Sequence, residues 1–121
     1  YFAAAADLME KTDYEFGCPV APVILDANAS LIELADVCRE AFETWTGLLA
    51  ESYRGAGVTP ERASDLALLV SAALEGALLV SRSYRSPDPI MTVADTVRRI
   101  LESAFAASPA AGSAGFPTSG S

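Results

Sequence analysis

Residues 60–84 predict a long helix that is apolar on two sides, and no other segment restricts the possible folds as strongly. Thr59 and Pro60 are typical of a helix start, and Glu61 adds a carboxylate to the first turn. Its two apolar faces leave only a narrow polar stripe, formed by Ser64, Ser71, Glu75 and Arg82. Because so little of its surface is polar, the helix must be buried on two sides, against its own chain and against a further subunit or a ligand.

Helical patterns also occur in four other segments, at residues 1–12, 19–27, 30–54 and 89–106. In the two longer segments, apolar side chains recur at intervals of three and four residues, which is the pattern of amphipathic helices. Strand-like alternation never extends beyond a few residues. The chain therefore predicts an all-α bundle of about five helices in one domain, residues 1–106. We expect the Pro- and Gly-rich tail at 107–121 to be disordered.

The composition excludes several functions for this chain on its own. With 16 acidic and 8 basic residues, the formal net charge is −8, which repels nucleic acid phosphates and anionic membrane surfaces. The absence of histidine removes the commonest metal ligand and general base, so we predict no metal, no cofactor and no catalytic residues. No uninterrupted apolar run reaches the length of a membrane span, and no segment resembles a signal peptide. We therefore expect a cytoplasmic protein that does not enter membranes.

The segment EFGCPV, residues 15–20, separates two predicted helices with a glycine, a cysteine and a proline. We interpret Gly17 as the position at which the backbone turns and Pro19 as the first residue of the next helix. Cys18 has no neighbouring basic residue to lower its pKa, so we interpret it as structural. A redox-sensing pair of Cys18 with Cys38 is the alternative that the sequence leaves open.

The order of several short motifs resembles a known family of regulators. The motifs are D-Y-x-F-G-C-P at 13–19, F-x-x-W at 42–45, G-A-G-V-T-P-E-R at 55–62 and A-L-E-G-A-L at 73–78. Over residues 13–106 their order and spacing resemble the C-terminal ligand-binding and dimerisation domain of TetR-family transcriptional repressors. The similar subgroup is the one related to the lincomycin-resistance repressor. The resemblance implies that operator DNA is bound only by an N-terminal helix-turn-helix domain, which is missing from this chain.

The resemblance also implies a homodimer formed by the last two long helices of each subunit. The helices at 60–84 and 89–106 would then pack as a four-helix bundle about a two-fold axis. Gly76 fits such an interface, because glycine inside a helix costs about 1 kcal/mol relative to alanine and is typical of a close approach by another backbone. The predicted interface residues are Leu68, Ala72, Gly76, Ala77, Leu79, Val80, Val93, Val97, Ile100, Leu101 and Ala104.

An effector pocket inside each subunit is a further implication of the resemblance. The residues that we predict to line it are Phe42, Trp45, Leu49, Leu69, Ala73 and Glu75. An ordinary hydrophobic core also explains the apolar members of this set, and Glu75 can instead pair with Arg82 or face solvent. Because we find no inward-facing basic side chain to balance an anion, we expect a small lipophilic effector that is neutral or cationic.

Two hypotheses about function follow. The chain is the regulatory domain of a TetR-type repressor, or it is a free-standing helical module for binding or dimerisation without DNA binding. An enzyme is not predicted, since the chain offers only scattered carboxylates and lacks a base, a nucleophile or a metal-binding set. Arg98 and Arg99 lie opposite an apolar stripe and near Glu102, so we interpret them as a solvated helix face and not as a nucleic acid site.

Overall fold

In a computed structural model the chain is a bundle of α-helices, and the structure describes residues 2–15, 17–26 and 32–107. Within these ranges there are five helices and no strand. The helices are α1 (Phe2–Lys11), α2 (Ala21–Asp26), α3 (Ile32–Gly55), α4 (Pro60–Tyr84) and α5 (Asp88–Ala106). The predicted all-α fold is therefore confirmed. The predicted start of the third helix at residues 30 and 31, and the predicted tail beyond residue 107, lie outside the described residues.

The central helix of the bundle is α4, which packs against α1, α3 and α5. It begins at Pro60 because proline suits the first helical position, where a backbone N–H would have no intrahelical partner. The inner face of α4 is buried and consists of Ala63, Leu66, Ala67, Val70, Ser71, Leu74, Ala77 and Ser81. The small side chains on this face let the neighbouring helices pack close to the α4 backbone.

α3 and α4 form an antiparallel hairpin joined by residues 56–59. Gly57 has a φ of 94°, a left-handed backbone angle that favours glycine, and it reverses the chain between the two helices. Val58 then enters the core, and its amide donates a hydrogen bond of 3.1 Å to the carbonyl oxygen of Tyr53. Glycine thus stands where the backbone requires it.

Two hydrophobic clusters hold the helices together. The larger one joins α3, α4 and α5, and its buried members are Ala50, Tyr53, Val58, Ala63, Leu66, Ala67, Val70 and Val97. The smaller one joins α1, α4 and the start of α5 through Ala6, Leu74, Ala77 and Ile90. Each fully buried leucine, isoleucine or valine contributes about 1.5–3 kcal/mol relative to an exposed one, so α4, which belongs to both clusters, dominates the stability of the bundle.

The chain leaves α1 through two consecutive residues with left-handed backbone angles, Asp13 (φ 51°) and Tyr14 (φ 60°). The amide of Tyr14 donates a hydrogen bond of 2.8 Å to the carbonyl oxygen of Met9, which closes the end of the helix. The turn is therefore made at these two residues. Gly17, where the sequence predicts that the backbone turns, lies three residues further on and does not have a left-handed φ.

The short helix α2 begins at Ala21 and not at the predicted Pro19. Pro22 is its second residue, a position where the missing N–H costs no hydrogen bond. The stretch between α1 and α2 is therefore longer than the sequence pattern predicts, and we call residues 13–20 the junction.

α4 is also the one described helix that is long and apolar enough to cross a membrane, as judged by length and composition. The criterion is met by average composition, since Ser71, Glu75 and Arg82 interrupt the apolar residues of α4 and no uninterrupted apolar run reaches this length. The core helix of a soluble protein meets the same criterion. Here the inner face of α4 is buried against three other helices, and this packing explains the apolar residues of that face.

Candidate functional site

A cavity of about 250 Å³ lies between the junction, α2 and the C-terminal half of α4. The junction contributes Gly17 and Cys18, and α4 contributes one residue of each charge, Glu75 and Arg82. The other lining residues are apolar, namely Ala21, Pro22, Leu78 and Leu79. We call this space the junction cavity. Apolar walls with a few polar groups are typical of sites that bind small molecules.

Cys18 places a protonated thiol in the junction cavity. Burial raises the pKa of the Cys18 thiol, and so do a hydrogen bond to the Glu75 carboxylate and the negative charge of Glu75. Hydrogen bonds from the backbone at Val20 and Ala21 lower this pKa and only partly oppose the increase. A thiol with a raised pKa is a poor nucleophile at neutral pH, which supports the structural interpretation of Cys18. Cys38 is buried on α3, and both cysteines are free thiols.

Glu75 and Arg82 lie two turns apart on the same side of α4. Glu75 is half-buried, whereas Arg82 is exposed, so the carboxylate lies deeper than the guanidinium. None of the ion pairs in the described part of the chain joins the two residues, so the alternative of a Glu75–Arg82 pair is not realised. The carboxylate of Glu75 thus has no ion pair in the described part of the chain, and its contact in the cavity is with the Cys18 thiol. The position of Arg82 at this cavity was not predictable from the sequence pattern.

A second cavity, of about 300 Å³, lies among α1, α3, α4 and α5 and is almost entirely apolar. Tyr53 is one of its buried lining residues, and the ring centroid of Tyr53 lies 5.7 Å from that of Phe105. Arg98 and Glu102 lie at the cavity and are paired with each other at 3.3 Å. Because this ion pair is already closed, the second cavity offers a weaker polar contact to a ligand than the junction cavity does.

The structure distributes the predicted pocket residues over several places. Glu75 lines the junction cavity, and Leu49 lines the second cavity. Phe42 and Trp45 lie about one turn apart on α3 and contact each other edge to face, with ring centroids 5.4 Å apart. The six residues are therefore not brought together in one pocket, and a role for Phe42 and Trp45 in effector binding stays a prediction.

The remaining two predicted pocket residues show how α4 is oriented. The sequence pattern places Leu69 on the same apolar face as Leu66 and Val70, but the structure buries only the latter two and leaves Leu69 44% exposed. Ala73 is half-buried against the larger hydrophobic cluster. Each helical residue is rotated by about 100° from the next, so a buried Val70 turns Leu69 toward the surface.

The predicted dimer residues divide into an exposed and a buried group. The exposed group, which we call the outer face, consists of Leu68, Ala72, Gly76, Leu79, Val80 and Ile100. No described atom would lie within 4 Å of a methyl group added to Gly76, apart from its own helix backbone, so the predicted close approach is not made within the subunit. Val93, Leu101 and Ala104 are half-buried, whereas Ala77 and Val97 are buried in the subunit's own core. The predicted dimer contact therefore depends on the outer face.

Two buried serines on α4 are features that the sequence analysis missed. Ser81 is fully buried, and its Oγ accepts a hydrogen bond of 3.0 Å from the amide of Ile90 in the first turn of α5. Ser71, which the sequence pattern assigns to the polar stripe, is 8% exposed, and its Oγ has no hydrogen-bond partner among the described residues. The only available signal was that both serines interrupt otherwise apolar helix surface.

The polar groups of the junction cavity suit binding more than reaction. They are one carboxylate, one guanidinium and one protonated thiol. Within residues 2–15, 17–26 and 32–107, no cluster of three or more His, Cys, Asp or Glu side chains has the arrangement of a metal site. The arrangement can orient a small molecule by charge and hydrogen bonding.

Comparisons with known proteins identify the type of domain. Residues 1–96 match the family model described as "Transcriptional regulator LmrA/YxaF-like, C-terminal domain". The chain is 35% identical over 96 residues to the uncharacterized HTH-type transcriptional regulator Rv0196 of Mycobacterium tuberculosis strain H37Rv, over 75% of this chain and 50% of that protein. It is 24% identical over 86 residues to the HTH-type transcriptional regulator LmrA of Bacillus subtilis strain 168, over 71% of this chain and 46% of LmrA. No solved structure matches the chain.

The fold and these matches define the C-terminal domain of a transcriptional regulator, and not an enzyme. The chain belongs to the TetR family of regulators, in its LmrA/YxaF-like subgroup, and this confirms the resemblance found in the sequence. The chain spans about half the length of the curated relatives that it matches.

Proposed function

We propose that this chain is the effector-binding and dimerisation domain of a TetR-type transcriptional repressor that acts in the cytoplasm. Effector binding in this domain controls the release of operator DNA by a helix-turn-helix domain outside the chain. The family match supports this assignment. The net charge of −8 also supports it, because a domain with this charge is not attracted to DNA and leaves DNA binding to another part of the protein.

The observation that carries the proposal is the junction cavity, in which a half-buried carboxylate lies among apolar walls. A neutral or cationic lipophilic molecule fits this chemistry, because its apolar part is removed from water and its cation pairs with Glu75. An anion would lose its hydration close to Glu75 and would meet Arg82 only at the exposed end of the site. The proposed effector is therefore a small neutral or cationic lipophile.

The position of the junction cavity also suggests how an effector acts on the dimer. Leu79 lines the cavity and belongs to the outer face, so one residue of α4 is shared by the ligand site and the proposed subunit contact. A ligand that displaces α4 at this level also displaces the outer face. In the proposed repressor this displacement changes the relative orientation of the two subunits.

Three quinoline derivatives that differ in charge test the ligand chemistry. Quinoline is neutral, N-methylquinolinium is a cation and quinoline-2-carboxylate is an anion. Calorimetric titration of the chain should show binding of the first two and weaker or no binding of the carboxylate. Glu75→Gln should weaken binding of the cation roughly tenfold, since it removes the negative charge that attracts the quinolinium, and should affect quinoline little.

Glu51→Gln is the matched control, because it removes an exposed carboxylate from α3, a helix that does not line the junction cavity. It should leave all three affinities unchanged. Preferential binding of the carboxylate, or an equal loss in the Glu75 and Glu51 variants, would contradict the proposed site.

A longer form of the protein tests the repressor assignment against the alternative of a free-standing module. If the upstream segment encodes a basic helix-turn-helix pattern, the longer form should bind duplex DNA, and a ligand of the junction cavity should weaken that binding. The 121-residue chain alone should not bind the same duplex. A longer form that does not bind DNA would favour the free-standing module.

A further inference from the structure

We propose that Arg85 is a positioning residue for the junction cavity, because it ties the junction to the C-terminal end of α4. The functional importance of Arg85 rests on the proposed function of the cavity. The contacts of Arg85, and the experiment that tests them, do not depend on that function. Arg85 follows directly after α4 and is not among the residues that line the cavity.

Arg85 contacts both residues at which the chain leaves α1. Its Nη2 lies 2.8 Å from Oδ1 of Asp13, and its guanidinium carbon lies 6.0 Å from the ring centroid of Tyr14. In the described part of the chain, the other ion pairs join residues three or four positions apart within one helix. The Arg85–Asp13 pair instead joins segments that are far apart in sequence, so it restrains the tertiary structure.

These three residues also share an uncommon backbone conformation. Asp13 has a φ of 51°, Tyr14 of 60° and Arg85 of 48°, and no other non-glycine residue in the described ranges has a positive φ. Such angles are unfavourable for residues with a Cβ and persist where the surrounding structure holds them. The chain leaves both α1 and α4 through residues with these unfavourable angles, and the side chains of those residues contact each other.

Tyr14 is close to several charged side chains besides Arg85. Its side chain is half-buried, and burial raises the pKa of the Tyr14 hydroxyl, as do the neighbouring carboxylates of Glu10, Asp88 and Asp13. Arg85 acts in the opposite direction on this pKa. Tyr14 therefore lies in a corner between the end of α1 and the turn that leads from α4 into α5.

The segments that Arg85 joins, the junction and the end of α4, each form one wall of the junction cavity. Tyr14 precedes Gly17 by three residues, a length of chain that spans at most about 11 Å, so anchoring Tyr14 limits how far Gly17 and Cys18 can move away from α4. On the other wall, Arg82 lies one turn before Arg85. The distance between the two walls therefore depends on the Arg85 contact.

The rate at which iodoacetamide alkylates Cys18 measures this positioning without any effector. Peptide mass mapping separates Cys18 from Cys38, which is buried. Arg85→Gly removes the guanidinium and at the same time relieves the left-handed backbone angle, so the end of α4 is preserved. We expect the alkylation of Cys18 to accelerate roughly two- to fivefold, the range that corresponds to the loss of an exposed ion pair. The midpoint of urea unfolding should not decrease.

Two further variants complete the experiment. Asp13→Asn keeps a residue that tolerates the left-handed conformation but breaks the ion pair, so it should accelerate alkylation as Arg85→Gly does. Arg39→Ala is the control, since Arg39 is equally exposed and its ion pairs lie within α3. If Arg85→Gly lowers overall stability, the alkylation rate of Cys18 in the Asp13→Asn variant decides whether the ion pair positions the junction. Unchanged rates in both variants, or an equal increase in the Arg39 variant, would overturn the proposal. Failure of the quinolines to bind would count against the effector site alone.

Discussion

The hydroxyl of Ser81, fully buried in α4, accepts a 3.0 Å hydrogen bond from the backbone amide of Ile90 in α5. Ile90 is itself fully buried, and its amide lies in the first helical turn, where the helix supplies no acceptor of its own. One side chain thus satisfies a backbone group of the next helix and helps to fix how the consecutive helices α4 and α5 meet.

Replacing this serine should destabilise the domain strongly. Ser81→Ala leaves the Ile90 amide buried without a partner, and we expect the free energy of unfolding to fall by about 1–3 kcal/mol. Urea denaturation followed by circular dichroism measures the loss. Ser83→Ala, at an exposed position of the same helix, should change stability by less than about 0.5 kcal/mol. Equal effects at the two positions would show that the hydrogen bond is unimportant.

Ser71 should behave in the opposite way, although it is also a buried serine of α4. Its Oγ has no partner among the described residues, so Ser71→Ala removes a desolvated hydroxyl without breaking a bond. We expect stability to be unchanged or to rise by up to about 1–2 kcal/mol. A thermal melt of this variant beside Ser81→Ala makes the comparison. A clear loss of stability would mean that Ser71 has a partner that the described structure does not contain.

The outer face predicts a matched pair of variants for the dimer. Leu68 on α4 is 64% exposed and Leu48 on α3 is 62% exposed, so neither needs to be buried for the subunit to fold. Leu68→Glu should convert a dimer into a monomer, whereas Leu48→Glu should not, as measured by sedimentation equilibrium. Ala77→Glu is unsuitable for this purpose, because it would bury a charge in the subunit core. A monomeric wild-type chain at tens of micromolar would refute the dimer.

The thiol of Cys18 predicts a specific pH dependence. Its folded-state pKa lies above the ordinary value of 9.0, so the neutral thiol is favoured in the folded state. The contribution of the neutral Cys18 thiol to the stability of the fold is therefore complete below the ordinary pKa. It is lost as pH rises through the folded-state pKa. The alkylation rate of Cys18 should reach its half-maximum above pH 9.0, and Glu75→Gln should move that midpoint downward. A midpoint below the ordinary value would contradict the raised pKa.

Helix positions were predictable where local signals determine them. The predicted 60–84 is the observed Pro60–Tyr84, because Thr59 and Pro60 mark the start and the apolar periodicity sustains the rest. The left-handed angles of Asp13 and Tyr14 were not predictable in this way. Neither residue is glycine, and their conformation accompanies a contact with Arg85, which is distant in sequence.

The candidate site was predictable only in part. Glu75 stands out in the sequence as a charged residue in an apolar helix, and the structure places it in a cavity. Its neighbour Cys18 could not be assigned to it, because the two are brought together only when the junction packs against α4. Aromatic side chains such as Phe42 and Trp45 give the same sequence pattern whether they line a pocket or pack against each other.

The edge-to-face contact of Trp45 with Phe42 makes the chain its own optical probe. Trp45 is the sole tryptophan, so excitation at the red edge of protein absorbance reports on the middle of α3 alone. Far-ultraviolet ellipticity, in contrast, sums the signal of every helix. If the two signals change together during denaturation, α3 and the rest of the bundle melt as one cooperative unit; if they separate, the hairpin of α3 and α4 opens at a different stage from the remainder.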